Sequence, residues 1–371
     1  MIDSAASAEH IGRESRGYVM SVNEQKLHAL LGKAVSDFGA VFQAPLILIG
    51  DSLGLYRAMR DGQQTTPAAL AERTGTTERY VREWLNAHAA AGYIDYHAGD
   101  ATYSLSPEQS MLFAEEGGPA FIVGAFQAAT GAGAIRPALE QAFRTGDGLP
   151  WHQHDHQVFH GTERFYRSGY VANLVSHWIP SIAGVQESLT RGARVADIGC
   201  GHGASTLLMA QAFPNSRFFG FDSHAASIEA ARERAASKGL SDKVQFAVAR
   251  AKDFPGTNYD LVTIFDALHD LGDPAGAAAH VRSTLKPDGA WMIVEPYADD
   301  RLEANFNPVG RAYFSASTLL CTPCSLSQEG GLALGAQAGE ARLRAVVAGV
   351  GFGLFRRAAQ TPFNLIFEAR V

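Results

Sequence analysis

The chain has 371 residues, 46% of them hydrophobic and 19% charged, enough for about two domains with a full apolar core. A formal net charge of −7 argues against a phosphate-backbone partner, and three cysteines, Cys200, Cys321 and Cys324, are too few for a disulfide framework. No apolar run is expected to span a bilayer, and MIDSAASAEHIGRESRG lacks the basic-then-apolar order of a secretory signal, so the expected compartment is the cytoplasm.

In chain order, EQKLHALLGKAVSDFGAVF repeats apolar residues at three-to-four spacing and predicts a helix. In TPAALAERTGTTERYVREWLNAHAAAGYI, Thr66 and Pro67 open a helix, Gly75 ends it, and Thr76-Thr77-Glu78 open another. YIDYHAGDATYSLS then alternates, turns at Ala98-Gly99-Asp100 and alternates again, a hairpin signal. Helix, turn, helix and hairpin predict a winged helix. From about Gln186 the texture changes: RVADIG, RFFGFD, VQFAVAR, YDLVTIFDAL and AWMIVEP are strand-like runs separated by helical segments, which predicts a parallel sheet covered on both faces. FGLFRRAAQ and FNLIFEARV read as an antiparallel hairpin at its edge. The stretch from Glu295 to Gly339 is less regular, as functional insertions tend to be.

VADIGCGHGAST, residues 195–206, puts three glycines directly behind the first strand of that sheet. Ligands of open parallel sheets sit at this turn, and residues without a Cβ let backbone amides approach them. The glycines alone also satisfy a dinucleotide pattern. Asp197, however, places an acid where an ammonium group is favoured over a phosphate, and Asp222, 21 residues after Gly201, ends the next strand where an acid accepts ribose hydroxyls. Lys252, Asp253 and Phe254 follow the third strand and suit an adenine. Amino acid, ribose and adenine together describe S-adenosylmethionine (SAM).

VADIGCGHGAS, FGFDSH, ARAKDFP, YDLVTIFDALHDLGDP and LKPDGAWMIVEP, in this order and spacing, resemble the class I SAM-dependent methyltransferases. With the winged helix included, the whole chain resembles the bacterial winged-helix type, whose layout is that of plant and antibiotic-pathway O-methyltransferases. The resemblance implies a Rossmann-like doubly wound α/β fold: a seven-stranded sheet with a C-terminal antiparallel hairpin and an N-terminal, mainly helical winged-helix domain. It implies a winged-helix and dimerisation domain over 1–110, a helical linker and pocket lid over 111–185, and a methyltransferase domain over 186–371. Asp197, Gly199, Cys200 and Gly201 are then expected at the methionine end of SAM, Asp222 and Ser223 at the ribose, Lys252, Asp253 and Phe254 at the adenine, and Asp266 near the sulfonium.

The expected reaction moves the SAM methyl group to a small-molecule acceptor, a hydroxyl above others, by in-line displacement. His269-Asp270 in LHDLGDP aligns with the His-Asp pair that deprotonates the acceptor in plant O-methyltransferases, and Glu295 matches the acid that orients that His; Glu340 is a weaker match to a second. Leu271 stands where those enzymes carry Trp. Alternative readings are N-, C- or S-methylation, or a SAM-sensing DNA-binding regulator built on the winged helix. Against the regulator, Asp51 to Glu108 holds five Arg, no Lys and eight acids. A homodimer is the expected assembly, with no nucleic acid or membrane as partner. No metal is expected: WHQHDHQVFH, with His152, His154, His156 and His160, reads either as lid or acceptor pocket, together with Phe159, Phe165, Tyr166 and Tyr170 close behind, or as plain structure, and Cys321-Thr-Pro-Cys324 lacks the second pair that a zinc site of that spacing uses.

Overall fold

The structure, a computed structural model, describes residues 22–371. Two compact units divide the chain, Met1–Phe42 and Gln43–Val371, and the divisions expected at 110 and 185 fall inside the second. The first helix, α1 (Glu24–Ser52), is longer than its periodicity suggested and continues through Pro45, which has no N–H for the preceding turn. By length and composition α1 is, among the described residues, the one helix long and apolar enough to cross a membrane.

The winged helix forms as predicted. Helix α2 (Pro67–Thr74) is capped by Thr66, whose hydroxyl accepts from the Ala69 amide, and it ends at Gly75 in the left-handed region. Helix α3 (Glu78–Ala90) buries Val81, Trp84, Leu85 and His88, and the wing is the hairpin β1 (Asp95–His97) with β2 (Thr102–Ser104). Apolar spacing at three and four drives this: those positions share one face and pack on Ile47, Tyr56 and Leu70. Among the helices that follow, α4 (Val123–Ala132) and α5 (His156–Asn173) pack on each other. They touch through glycines: a Cβ at Gly161 would lie 2.3 Å from the Ala128 amide nitrogen, so only Gly permits this approach.

The remaining elements make the doubly wound sheet. In chain order they are β3 (Arg194–Ile198), α6 (Ala204–Ala212), β4 (Arg217–Asp222), α7 (Ala225–Ser237), β5 (Val244–Val248), β6 (Tyr259–Phe265), α8 (Pro274–Thr284), β7 (Leu285–Pro296), α9 (Pro308–Ala316), α10 (Thr322–Leu326), α11 (Gly339–Gly349), β8 (Leu354–Gln360) and β9 (Asn364–Arg370). The seven strands run β5-β4-β3-β6-β7-β9-β8. All neighbours are parallel except β7–β9 and β8–β9, the C-terminal hairpin that the sequence predicted. Side chains alternate between two cores: Val195 packs into one layer and Ala196 and Ile198 into the other. The order reverses between β3 and β6, which puts a crevice at the carboxyl ends of both strands. The irregular insertion is largely helical: α9 runs through a π-helical turn, Ser317–Cys321, into α10.

Candidate active site

A cavity of about 500 Å³ opens at that crevice. Its floor is the turn from β3 into α6. Gly199, Gly201 and Gly203 all adopt positive φ, and at Gly203 a Cβ would lie 2.6 Å from Cζ of Phe246. Both the backbone sign and the space therefore demand glycine at this position. Asp222 braces the turn: its Oδ2 accepts from the Gly201 amide at 2.9 Å and its Oδ1 from the His224 amide at 2.8 Å. Burial pushes its carboxyl pKa up, and those amides oppose the shift.

Seven of the expected cofactor residues line the cavity: Gly199, Cys200, Gly201, Asp222, Ser223, Lys252 and Asp266. Three do not. Asp197 is fully buried behind the turn, with both oxygens engaged: Ser205 and Thr206 donate to Oδ2 at 2.7 and 2.5 Å, and Thr263 donates to Oδ1 at 2.8 Å. Its charge is met by hydroxyls, and the acid holds the start of α6 against β3 instead of facing a ligand. Asp253 turns outward to the Arg250 guanidinium, 2.8 Å from Nε. Phe254 lies in the core, stacked on Phe221 at 5.3 Å with the His280 ring against its edge.

Asp266 sits at φ +50° directly after β6, with Asn364 donating to its Oδ1 at 2.8 Å and no partner on its buried Oδ2. Burial, and then the charge of Glu295, hold its carboxyl well above the usual range. The cradle of Cβ-free backbone, the ribose-height acid Asp222 and the orphaned oxygen of Asp266 fit a ligand that carries hydroxyls and a positive centre, as SAM does.

His269 and Glu295 meet as the sequence suggested, but one layer behind the cavity wall. The ring is 2% exposed; its Nδ1 lies 2.5 Å from Glu295 Oε2, and Glu295 Oε1 accepts from the Leu268 amide at 2.9 Å. In that pairing Nδ1–H donates to the carboxylate, and Nε2 faces Asp270, whose Oδ1 is 3.1 Å away. Asp270 itself lines the cavity. Burial opposes a charge on the ring, yet the Asp270 and Glu295 carboxylates override it and hold the imidazole pKa well above its ordinary value. Glu340, the weaker match, is bound instead by Arg344 and Arg357.

The opposite wall comes from α5. Phe159, Thr162, Glu163, Tyr166 and Tyr170 recur at spacings of three and four and so share the face turned to the cavity, with Trp151 beside them. Sequence reasoning singled out the aromatics but missed Glu163, which the same periodicity marks; Arg234 holds its carboxylate at 2.8 Å. Phe165 points elsewhere, toward Phe363. Among the histidines, His156 and His160 lie 6.3 Å apart by ring centroid, His160 packs on His202 of the glycine turn, and His154 is buried with neither ring nitrogen partnered.

Residues 189–330 match a methyltransferase domain and residues 42–114 a Rv2258c-like winged HTH domain. The mitomycin biosynthesis 6-O-methyltransferase of Streptomyces lavendulae is 24% identical over 273 residues, 71% of this chain and 77% of that protein. Of other curated relatives the chain spans less, 43% and 42% of their lengths. The fold is that of the mitomycin 7-O-methyltransferase MmcR (TM-score 0.66, 20% identity, 94% of this chain and 100% of that one) and of human N-acetylserotonin methyltransferase in complex with SAM (TM-score 0.65, 16% identity, 95% and 99%). With the glycine turn and Asp222 at the crevice of a seven-stranded sheet, and a winged helix ahead of it, the chain belongs to the class I SAM-dependent methyltransferases that carry an N-terminal winged helix.

Proposed function

We propose that the enzyme methylates a hydroxyl oxygen of a small-molecule acceptor, and that His269 takes up the acceptor proton. The observation that carries this reading is the buried His269–Glu295 pair at 2.5 Å, set beside a cavity whose floor is the glycine turn. Bound SAM supplies a methyl group already activated on sulfur. The chain's part is to hold the acceptor oxygen in line, roughly 3 to 3.5 Å from that carbon, and to receive its proton. Glu295 fixes the ring so that Nε2 points toward the cavity side, and Asp270, 3.1 Å from Nε2, stands between ring and acceptor as the group through which the proton moves. Gly199, Gly201, Asp222, Ser223, Lys252 and Asp266 hold SAM in this reading. The aromatic face of α5 excludes water and roofs an acceptor with a flat apolar body.

The assay is mass spectrometry of the purified enzyme with SAM and separate phenols, carboxylates, thiols and amines. Methylation of hydroxyl acceptors is expected; methylation confined to thiols, amines or carbon refutes the reading.

The enzyme works as a homodimer joined through α1, on this proposal. Leu27, Leu30, Leu31, Val35, Phe38 and Phe42 are exposed at three-to-four spacing along it, an apolar stripe that a second copy would cover. The ion pair of Lys33 with Asp37 one turn on favours a protein partner over a bilayer. DNA is not the partner: on α3 the arginines that a reading helix would use are tied to Glu83 and Glu78 of the same helix. The reducing cytoplasm suits its three free cysteines.

A further inference from the structure

We propose that His269, Asp270 and Cys321 form a binding site for a soft divalent cation of the zinc type, and that its occupation shuts off proton uptake at His269. The His269 ring nitrogen, an Asp270 carboxylate oxygen and the Cys321 sulfur all lie within 4.8 Å of one another. Tetrahedral zinc holds such ligands at about 2.0 to 2.3 Å, so each atom need move only on the order of 1 Å to close on a shared ion.

Donor chemistry selects the cation. One imidazole nitrogen, one thiolate and one carboxylate suit zinc or cobalt(II) and do not suit magnesium or calcium, which take oxygen donors. Glu295 completes the arrangement from behind. Its Oε2 accepts the Nδ1–H hydrogen bond at 2.5 Å, which turns Nε2 toward the ion; a carboxylate oriented this way is the usual support of a metal-binding histidine. Asp270 Oδ1 is buried and faces Nε2 at 3.1 Å, so the two donors already converge.

With three cysteines in the chain, no second Cys pair completes Cys321 and Cys324. The completing donors come instead from the turn after β6, about fifty residues upstream. Cys321 ends the π-helical turn of the insertion, which re-aims the helix at that turn. Asp270 faces the cavity, so the fourth position is open on the acceptor side. On binding, the cation displaces the thiol proton and any proton on Nε2, and takes the lone pair that the acceptor proton would use. That inhibitory consequence rests on the hydroxyl-methylation reading; the binding itself does not.

The test uses the full chain, reduced and stripped with a chelator, titrated with cobalt(II) chloride. A thiolate-to-cobalt charge-transfer band and visible d–d bands of tetrahedral intensity are expected, both abolished by added zinc. Cys321→Ser should remove the charge-transfer band, and His269→Ala should weaken cobalt binding by roughly 10- to 100-fold. Cys324→Ser should leave the band in place. Retained SAM binding shows that each variant is folded. In turnover with a hydroxyl acceptor, zinc should inhibit the wild type reversibly on chelation and inhibit Cys321→Ser much less, each rate being taken relative to the same protein without zinc. No charge-transfer band, or the same band in Cys321→Ser, overturns the site; a band with turnover indifferent to zinc overturns the inhibition. If no hydroxyl acceptor is ever methylated while the cobalt spectrum is as described, the functional reading falls and the metal site stands.

Discussion

Replacement of Asp222 by Ala tests where SAM lies. In the free enzyme the two carboxylate oxygens each accept one backbone amide, from Gly201 and His224, so each keeps a lone pair for one ribose hydroxyl. A hydrogen bond to a charged group contributes about 1.5–3 kcal/mol, but part of the loss is recovered because the residue lines an open cavity and water can enter the gap beside the two amides. The expected net cost is therefore about 1.5–3 kcal/mol for the pair of bonds together, a weakening of SAM by roughly 10- to 150-fold. Calorimetry with SAM and its demethylated product measures this directly. A 2′-deoxy analogue of the product closes a double-mutant cycle: removal of the hydroxyl should cost the wild type affinity and cost Asp222→Ala much less. Unchanged SAM affinity in a folded Asp222→Ala protein, or additive losses in the cycle, would refute the placement of the ribose.

Three further outcomes are expected. His269→Ala should lower turnover on a hydroxyl acceptor by about 10²- to 10⁴-fold and leave SAM affinity within a few-fold, read from kcat against the calorimetric Kd. Phe38→Asp with Phe42→Asp, both at exposed positions of α1, should convert a dimer into a folded monomer by light scattering, and a dimer that persists removes α1 as the interface. His88, fully buried between Tyr56 and Trp84, has its pKa lowered to about 4 by desolvation. The unfolded chain then binds the proton that the fold refuses. The stabilisation is complete above pH 6.5, falls between there and pH 4, and by pH 5 the loss is about 2 kcal/mol, which His88→Gln should reduce in urea melts at pH 7 and pH 5.

Periodicity and punctuation carried most of the fold. Thr66, Pro67 and Gly75 mark the ends of α2 by chemistry local to each residue, and the strand-glycine-helix order from Val195 to Thr206 locates the crevice because only a parallel sheet uses such a turn. The same cues show which end of a strand a residue occupies, not which way its side chain turns. Asp197 was read from its charge as a ligand for an ammonium group. The hydroxyls that satisfy it, Ser205 and Thr206, stand eight and nine residues later in the same stretch, where the first turn of α6 brings them back to β3. Phe254 suggests an aromatic face for adenine, yet α8 covers it, with His280 Nε2 donating to the Phe254 carbonyl at 2.8 Å.

What no local signal carried is the pairing of the insertion with the turn after β6. Composition made residues 295–339 look irregular, but the insertion folds into helices that are held by polar contacts to LHDLG. Ser325 Oγ donates to the Leu271 carbonyl at 2.9 Å, Gln328 Nε2 to the Asp270 carbonyl at 2.9 Å, and the Gly272 amide to Gln328 Oε1 at 3.1 Å. These bonds span 54 to 58 residues, and Leu271, where plant relatives carry Trp, contributes its backbone carbonyl to them. They hold the insertion against LHDLG, and Cys321 lies at that contact, its sulfur within 4.8 Å of a ring nitrogen of His269. A variant that breaks only this clamp, Gln328→Ala, should therefore loosen cobalt binding without touching a ligand, while Asp222 and the glycine turn continue to bind SAM.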